Sequence, residues 1–384
     1  MFVDGVLASI DFQKDLNPEQ WATVTAPDGP IFVLAAAGTG KTRTLVYRVA
    51  YLVQRGVDAR RILLLTFTNR AAREMLTRAQ ALVGDGVGGL WGGTFHHMAN
   101  RILRRHAAAL EYGCDFIILD QDDAATLMKA CLSELKLNHR EFPKPDVVLS
   151  LLSGAVNRRR PVAEIAGQRF EDHPVDPADI LRATELYQRT KRAQNAMDFD
   201  DLLVNGLRLF KEHPEVLARY QEQFLYVLVD EYQDTNPIQA EWVDLIAGRH
   251  RNLLVVGDDF QSIYAWRGAD YRNIMTFPER YPDARTFKLE TNYRSAPEIL
   301  QVANASIAGN PRQFQKHLRA TRPANRRPVW ALLRDGGHQA RYVVDQLRRL
   351  RREGMAWKDM TVLYRAHYHA MELQMELARE RIPY

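Results

Sequence analysis

The sequence predicts an α/β fold: a parallel β-sheet interrupted by an all-helical insertion and followed by the first half of a second α/β unit. Three observations carry this. Short apolar runs recur at "IFVLAA" (31–36), "ILLLTF" (62–67), "YVLVD" (226–230), "LLVVGD" (253–258) and "FKLE" (287–290), with helical patterns between most of them. The β signal nearly vanishes between about residues 96 and 225. A new β/α alternation begins after about residue 295. Continuous apolar strands alternating with helices describe a sheet covered on both faces, whose ligands bind beyond the carboxyl ends of its strands.

Taken in order, residues 1–95 and 200–290 are expected to form the first α/β domain, with 96–199 inserted as helices. "ANRILRRHAAAL", "DDAATLMKACLSELKL" and "DILRATELYQRTKRAQ" have the amphipathic spacing for this, and "LLVNGLRLFKEHPEVLARYQEQF" continues it. Residues 291–384 are expected to begin the second unit: helix "APEILQVANASIAG", strand "PVWALLR", helix "GHQARYVVDQLRRLRREG", strand "MTVLYR" and helix "MELQMELARERI". Two strands are too few for a free-standing sheet covered on both faces, so this unit reads as unfinished.

The chain has 384 residues, 46% apolar and 26% charged, enough to bury a sizeable core. A net charge of +5 leans weakly towards an anionic partner. About a dozen Arg or Lys lie between Arg312 and Arg352 against two Asp, either a polyanion-facing surface or a solvated helix face. "NRRR" (157–160) poses the same alternative. Cys114 and Cys131 have neither zinc-site spacing nor disulfide density, which fits a reducing compartment. With no basic leader and no apolar run long enough to span a bilayer, the expected location is cytoplasmic, with no membrane partner.

"AAAGTGKTRT" (35–44) follows the first apolar run. A strand entering a small-residue turn that closes with Gly-Lys-Thr and opens a helix aims backbone N–H groups at phosphate oxygens, and here Ala35 occupies the first glycine position of the G-x-x-x-x-G-K-[ST] pattern. Ala37, Gly38, Thr39 and Gly40 would form the cradle; Lys41 adds charge and Thr42 a hydroxyl for Mg²⁺. "VDEYQDT" supplies Asp230 for the metal and Glu231 to take a proton from the attacking water, a pair that points to nucleotide hydrolysis.

Eight stretches, in order, resemble the motifs of superfamily 1 helicases of the UvrD/Rep/PcrA group. They are "LNPEQWATV", "AAAGTGKTRT", "TFTNRAAREM", "GGTFHHMANRIL", "MDFDDLL", "VDEYQDTN", "VGDDFQSIYAWRGAD" and "LETNYRS". The resemblance implies a P-loop NTPase (RecA-like) first domain, ATP and Mg²⁺ as ligands, and 3′-to-5′ movement along single-stranded DNA with unwinding at single-strand/duplex junctions. Repair or replication proteins would be further partners. It implies that Gln20 reads the adenine edge, that Arg43 and Tyr293 sandwich the ring, that Gln261 senses the γ-phosphate, and that Arg294 is an arginine finger. For DNA it implies stacking on Phe67, Tyr264 and Trp266, with Thr66, Asn69, His96 and Arg267 donating to phosphates or bases.

Three departures stand out. Ala36 occupies the position of a second glycine, and Phe260 precedes Gln261 where an Asp is more usual. The chain also stops at "ELARERIPY", before the motifs that would complete the second domain, so a fragment of a longer protein is the expectation. The rival readings are a nucleotide- and DNA-binding module without motor activity, and part of a recombination helicase-nuclease subunit.

Overall fold

The computed structural model describes residues 10–384, so residues 1–9 of the expected first domain lie outside the description. Among the described residues ten strands run in chain order: β1 Ile31–Ala35, β2 Ile62–Thr66, β3 Trp91–Thr94, β4 Ile117–Ile118, β5 Ala196–Met197, β6 Tyr226–Val229, β7 Leu253–Gly257, β8 Arg285–Leu289, β9 Thr291–Asn292 and β10 Arg319–Ala320. Six of them form one sheet in the order β3-β2-β6-β7-β1-β8, and its pairings are all parallel. The alternation of side chains along each strand divides the core in two. Phe32, Leu34, Leu63, Leu65, Val227, Val229, Leu253 and Val255 face the helices Phe95–His106, Phe199–Glu212 and Pro237–Ala247. Ile31, Val33, Ile62, Leu64, Leu228, Leu254 and Val256 face Lys41–Gln54 and Asn69–Val83. Because each strand is apolar on both sides, it reads as a continuous run rather than an alternating one.

Strand β3, "WGGT", was not among the expected strands. Its glycines carry no apolar signal, and they let side-chain ends come close: a Cβ on Gly92 would stand 2.5 Å from a methyl of Leu76, and one on Gly93 2.6 Å from the methyl of Met98.

The insertion gathers its own core around Met128, Val148, Ile180, Ala183 and Tyr187, on helices Gln121–Glu134, Pro145–Arg158 and Pro177–Ala193. The helix Phe95–His106, expected inside the insertion from residue 96, instead buries Met98, Ile102 and Leu103 in the core of the main sheet. The parallel pair β4–β5 closes the base of the insertion. Buried Lys191 fastens the return: its ammonium binds Asp198 and Asp201, which form the capping box that starts Phe199–Glu212.

By compactness the chain divides into two units, one up to Asn325 and one from Arg326 to Tyr384. In the second unit, helices Gly336–Arg352 and Met371–Arg379 meet through Val344, Leu377 and Ile382. The strands expected at "PVWALLR" and "MTVLYR" do not form: neither segment pairs with another among the described residues, and Val329, Trp330, Leu332 and Leu363 are more than four-fifths exposed. An apolar β-prone run becomes a strand only when its backbone finds a ladder partner.

Candidate functional site

The phosphate loop leaves β1 at Ala35, which stays within the strand, so the missing first glycine costs no left-handed strain. Gly38 (φ +74°) and Gly40 (φ +86°) do need the left-handed region. Gly40 caps the helix Lys41–Gln54 without a side-chain bond, leaving its first N–H groups open to an anion. Thr39 braces the turn by donating Oγ1 to Ala36 O at 2.7 Å.

Gln20 is 2% exposed. Its Oε1 accepts from Asn17 N at 3.2 Å and its Nε2 donates to Thr39 O at 2.9 Å, so the amide braces the loop and keeps one N–H and one lone pair beyond those bonds. Arg43 lies over Tyr47 and donates to Asp15 O; Tyr293 is half-exposed, and its hydroxyl accepts from Asn17 Nδ2 at 2.8 Å. A ring would have to enter beside these groups for the expected sandwich to form.

Strand β6 delivers the acids. Lys41 Nζ lies 2.8 Å from Glu231 Oε2, and Thr42 Oγ1 lies 3.5 Å from Asp230 Oδ2. Glu231 has φ +50°, a left-handed conformation uncommon outside glycine and one that recurs at functional sites. Burial, then the charge of Glu231, pushes Asp230 up to about 7 although Lys41 opposes the shift. The same two causes raise Asp234 to about 7, and its Oδ1 is buried without a partner. Three carboxylates around one ammonium leave this corner short of positive charge. Hard oxygen donors and that deficit fit Mg²⁺. Among the described residues no cluster of three or more His, Cys, Asp or Glu makes a self-sufficient metal cage, so a cation at Thr42 and Asp230 would complete its shell with phosphate and water oxygens.

Gln233 joins this corner to the next strand: its Nε2 donates to Glu231 Oε2 at 2.9 Å, and its Oε1 accepts from Asp258 N at 3.0 Å. Asp258 Oδ2 in turn accepts from Gln261 Nε2 at 2.5 Å. Arg294 arrives from the far side, its Cβ packed where a side chain on Gly38 would stand, 2.7 Å away. Buried Asn292 fixes that approach. It donates to Ala37 O at 2.5 Å while its Oδ1 accepts from the backbone of Arg294 and Ser295. Neither Gln233 nor Asn292 was singled out from the sequence; each stands one or two residues from a residue that was.

Along the same edge of the sheet, Phe67, Tyr264 and Trp266 form a row. Ring centroids are 5.8 Å and 6.4 Å apart, and Arg267 lies 4.5 Å from the Trp266 ring. Trp266 is 66% exposed, an unusual position for a core-forming residue. Asn69 is exposed at the start of its helix. Thr66 is different: it is 1% exposed and its hydroxyl is buried without a partner, so it does not line that surface. His96 is partly buried, meets Phe199 edge to face at 6.1 Å, and is held below the usual histidine range by that burial. "NRRR" is largely consumed internally: Arg159 pairs with Glu241, Arg160 with Glu164, and Asn157 binds Asp200 and Asn236.

A phosphate loop with a metal-competent acid corner on a parallel sheet defines a P-loop nucleotide-binding protein, and an aromatic row lies beside it. A model described as the UvrD/REP helicase N-terminal domain matches residues 16–282, and the UvrD-like helicase C-terminal domain matches 287–384. The chain belongs to the UvrD/REP helicase family. It is similar to the ATP-dependent DNA helicase PcrA of Staphylococcus epidermidis, 37% identical over 372 residues, 97% of this chain and 50% of that protein. The protein of the same name from Staphylococcus aureus is 37% identical over 370 residues, 96% and 50% of the two chains. The chain thus spans about half the length of the curated relatives it matches.

Proposed function

We propose that this chain is the ATP-hydrolysing, DNA-gripping part of a 3′-to-5′ DNA translocase that unwinds duplex at single-strand junctions. The observation that carries the reading is the convergence of Lys41 with Glu231 and of Thr42 with Asp230 on one phosphate loop. Gly38, Gly40 and the open helix start bind the phosphates of ATP, and Lys41 balances their charge. Mg²⁺, held by Thr42 and Asp230, would neutralise phosphate oxygens. Glu231 accepts the proton of the attacking water, Gln261 orients that water, and Arg294 stabilises charge developing on the γ-phosphate. Arg43 and Tyr293 flank the base while Gln20 holds the loop that carries its phosphates.

Single-stranded DNA stacks on Phe67, Tyr264 and Trp266, with Arg267 and Asn69 at its phosphates. The row and the acid corner share a framework: Asp270, three residues beyond Arg267, donates its N–H to Thr235 O at 2.9 Å. A change at the acid corner therefore reaches the aromatic loop through the residues that follow Glu231. The working location is the cytoplasm, and repair or replication proteins are the partners this activity would serve.

The test is Mg²⁺-ATP hydrolysis with and without oligo-dT, beside Lys41→Ala. Hydrolysis that rises with DNA and disappears in Lys41→Ala supports the reading. DNA-independent turnover, or turnover that survives Lys41→Ala, refutes it.

A further inference from the structure

We infer that Lys316 is a positioning residue for Gln261, holding it in register with the segment that carries Arg294. The inference rests on Gln261 acting at the γ-phosphate, as proposed above.

The Lys316 side chain is fully buried and its ammonium sits between Asp258 Oδ1 and Asp259 Oδ1, 2.5 Å from the latter. It also lies 3.9 Å from the centroid of the Phe260 ring. Asp258 uses its other oxygen, Oδ2, to accept from Gln261 Nε2. The lysine therefore fixes the carboxylate that fixes the glutamine. Asp259 Oδ2 meanwhile accepts from Phe314 N at 2.8 Å, so the segment around Lys316 is tied to the loop at two points.

Three residues further on, Arg319 begins β10, which pairs in parallel with β9 at Thr291 and Asn292. Asn292 sets the backbone of Arg294. One side chain thus links the loop bearing Gln261 to the strand pair that carries Arg294. The local charge also explains Phe260. A third carboxylate there would compete for the single ammonium that Asp258 and Asp259 already share, whereas the face of a phenyl ring attracts it. Removing the ammonium leaves two adjacent buried carboxylates without a counter-charge and Asp258 Oδ1 with only the Phe260 N–H, which drives Asp258 to turn and loosens the anchor of Gln261.

The test is equilibrium binding of MgADP and of MgADP–aluminium fluoride, a mimic of the transferring phosphoryl group, to the 384-residue chain and to Lys316→Met, Gln261→Ala and the double variant. Lys316→Met and Gln261→Ala should each weaken the fluoride complex by at least about tenfold while MgADP stays within about twofold, since only the γ-position is affected. The double variant should bind no more than about twofold worse than Gln261→Ala, because the lysine acts through the glutamine. Lys316→Arg should restore most of the loss. Multiplicative losses in the double variant, or equal weakening of MgADP, overturn the inference. If Lys316→Met does not fold, Phe260→Asp supplies the same cycle by drawing the ammonium off Asp258, and additivity with Gln261→Ala again overturns it. A wild-type chain that binds no MgADP, or binds it as well after Lys41→Ala, defeats the nucleotide-site reading instead.

Discussion

Replacing Asn292 by alanine should loosen the nucleotide site and the fold together, by an amount the geometry allows to be worked out. The side chain is 1% exposed and makes three hydrogen bonds: to Ala37 O at 2.5 Å, from Arg294 N at 2.9 Å and from Ser295 N at 2.7 Å. Each such bond contributes about 1 kcal/mol net, and a partner left buried and unpaired costs somewhat more, so the total is about 3 kcal/mol. For a urea m-value of about 3 kcal/mol/M, the unfolding midpoint should fall by about 1 M. Asn292→Asp separates the two halves of the contact. Its oxygens still accept from Arg294 and Ser295, but one now faces the carbonyl of Ala37, so the phosphate loop is pushed away while the turn survives. MgADP affinity should therefore fall in both variants, and stability should fall further in Asn292→Ala. Urea unfolding and nucleotide titration provide the readout. A midpoint within about 0.2 M of wild type, given the usual scatter of surface substitutions, would refute the assignment of Asn292 as a clamp.

Three further outcomes follow from the site. Glu231→Gln should keep MgATP binding while turnover falls by about a hundredfold or more, measured by phosphate release, since it removes the proton acceptor and little bulk. Trp266→Ala should weaken oligo-dT binding about tenfold by fluorescence anisotropy with MgADP affinity unchanged, the loss of one base-stacking partner. Asp234 is raised from 3.8 to about 7, by burial first and by the charge of Glu231 second. The folded state therefore holds a proton that the unfolded state releases, and this contribution to stability is lost as pH rises from about 4 through about 7. Asp234→Asn should flatten that slope in metal-free unfolding titrations; an unchanged slope would assign it to other groups.

The sheet was legible because its strands are apolar on both faces, and the phosphate loop because Gly38, Gly40, Lys41 and Thr42 carry its chemistry in one short stretch. What escaped reading belongs to packing and to distance. Strand β3 was silent because two of its four residues are glycines, against which Leu76 and Met98 pack their side-chain ends. The second unit's strands were read from composition, which carries no information about whether a pairing edge is present. Thr66 has the chemistry of a DNA contact, but its place in β2 buries it. Gln20 was read through its amide, whose hold on Thr39 O no local pattern announces. Lys316 lies 55 residues beyond Gln261 and sits among a scatter of basic residues, so nothing local marks it as the one that is buried.

The two substitutions that depart from the family pattern are each absorbed by a neighbour across the same boundary. Ala36 is fully buried against Leu300 and Leu318, so its methyl joins the end of β1 to the helix Pro297–Ile307 and to the segment leading into β10. A glycine there would leave those leucines facing a gap of methyl size, worth about 1 kcal/mol in a packed core. Phe260 places its ring beneath Lys316, which comes from that same segment. One change strengthens an apolar contact and the other replaces a charge with a ring face, yet both bind residues 314–320 more firmly to the loops that follow β1 and β7. If Arg294 acts at a phosphate as proposed, this segment has to be held in register with both loops. On the proposed reading, the departures therefore adjust how tightly Gln261 and Arg294 are coupled, and leave the groups proposed for the chemistry unchanged.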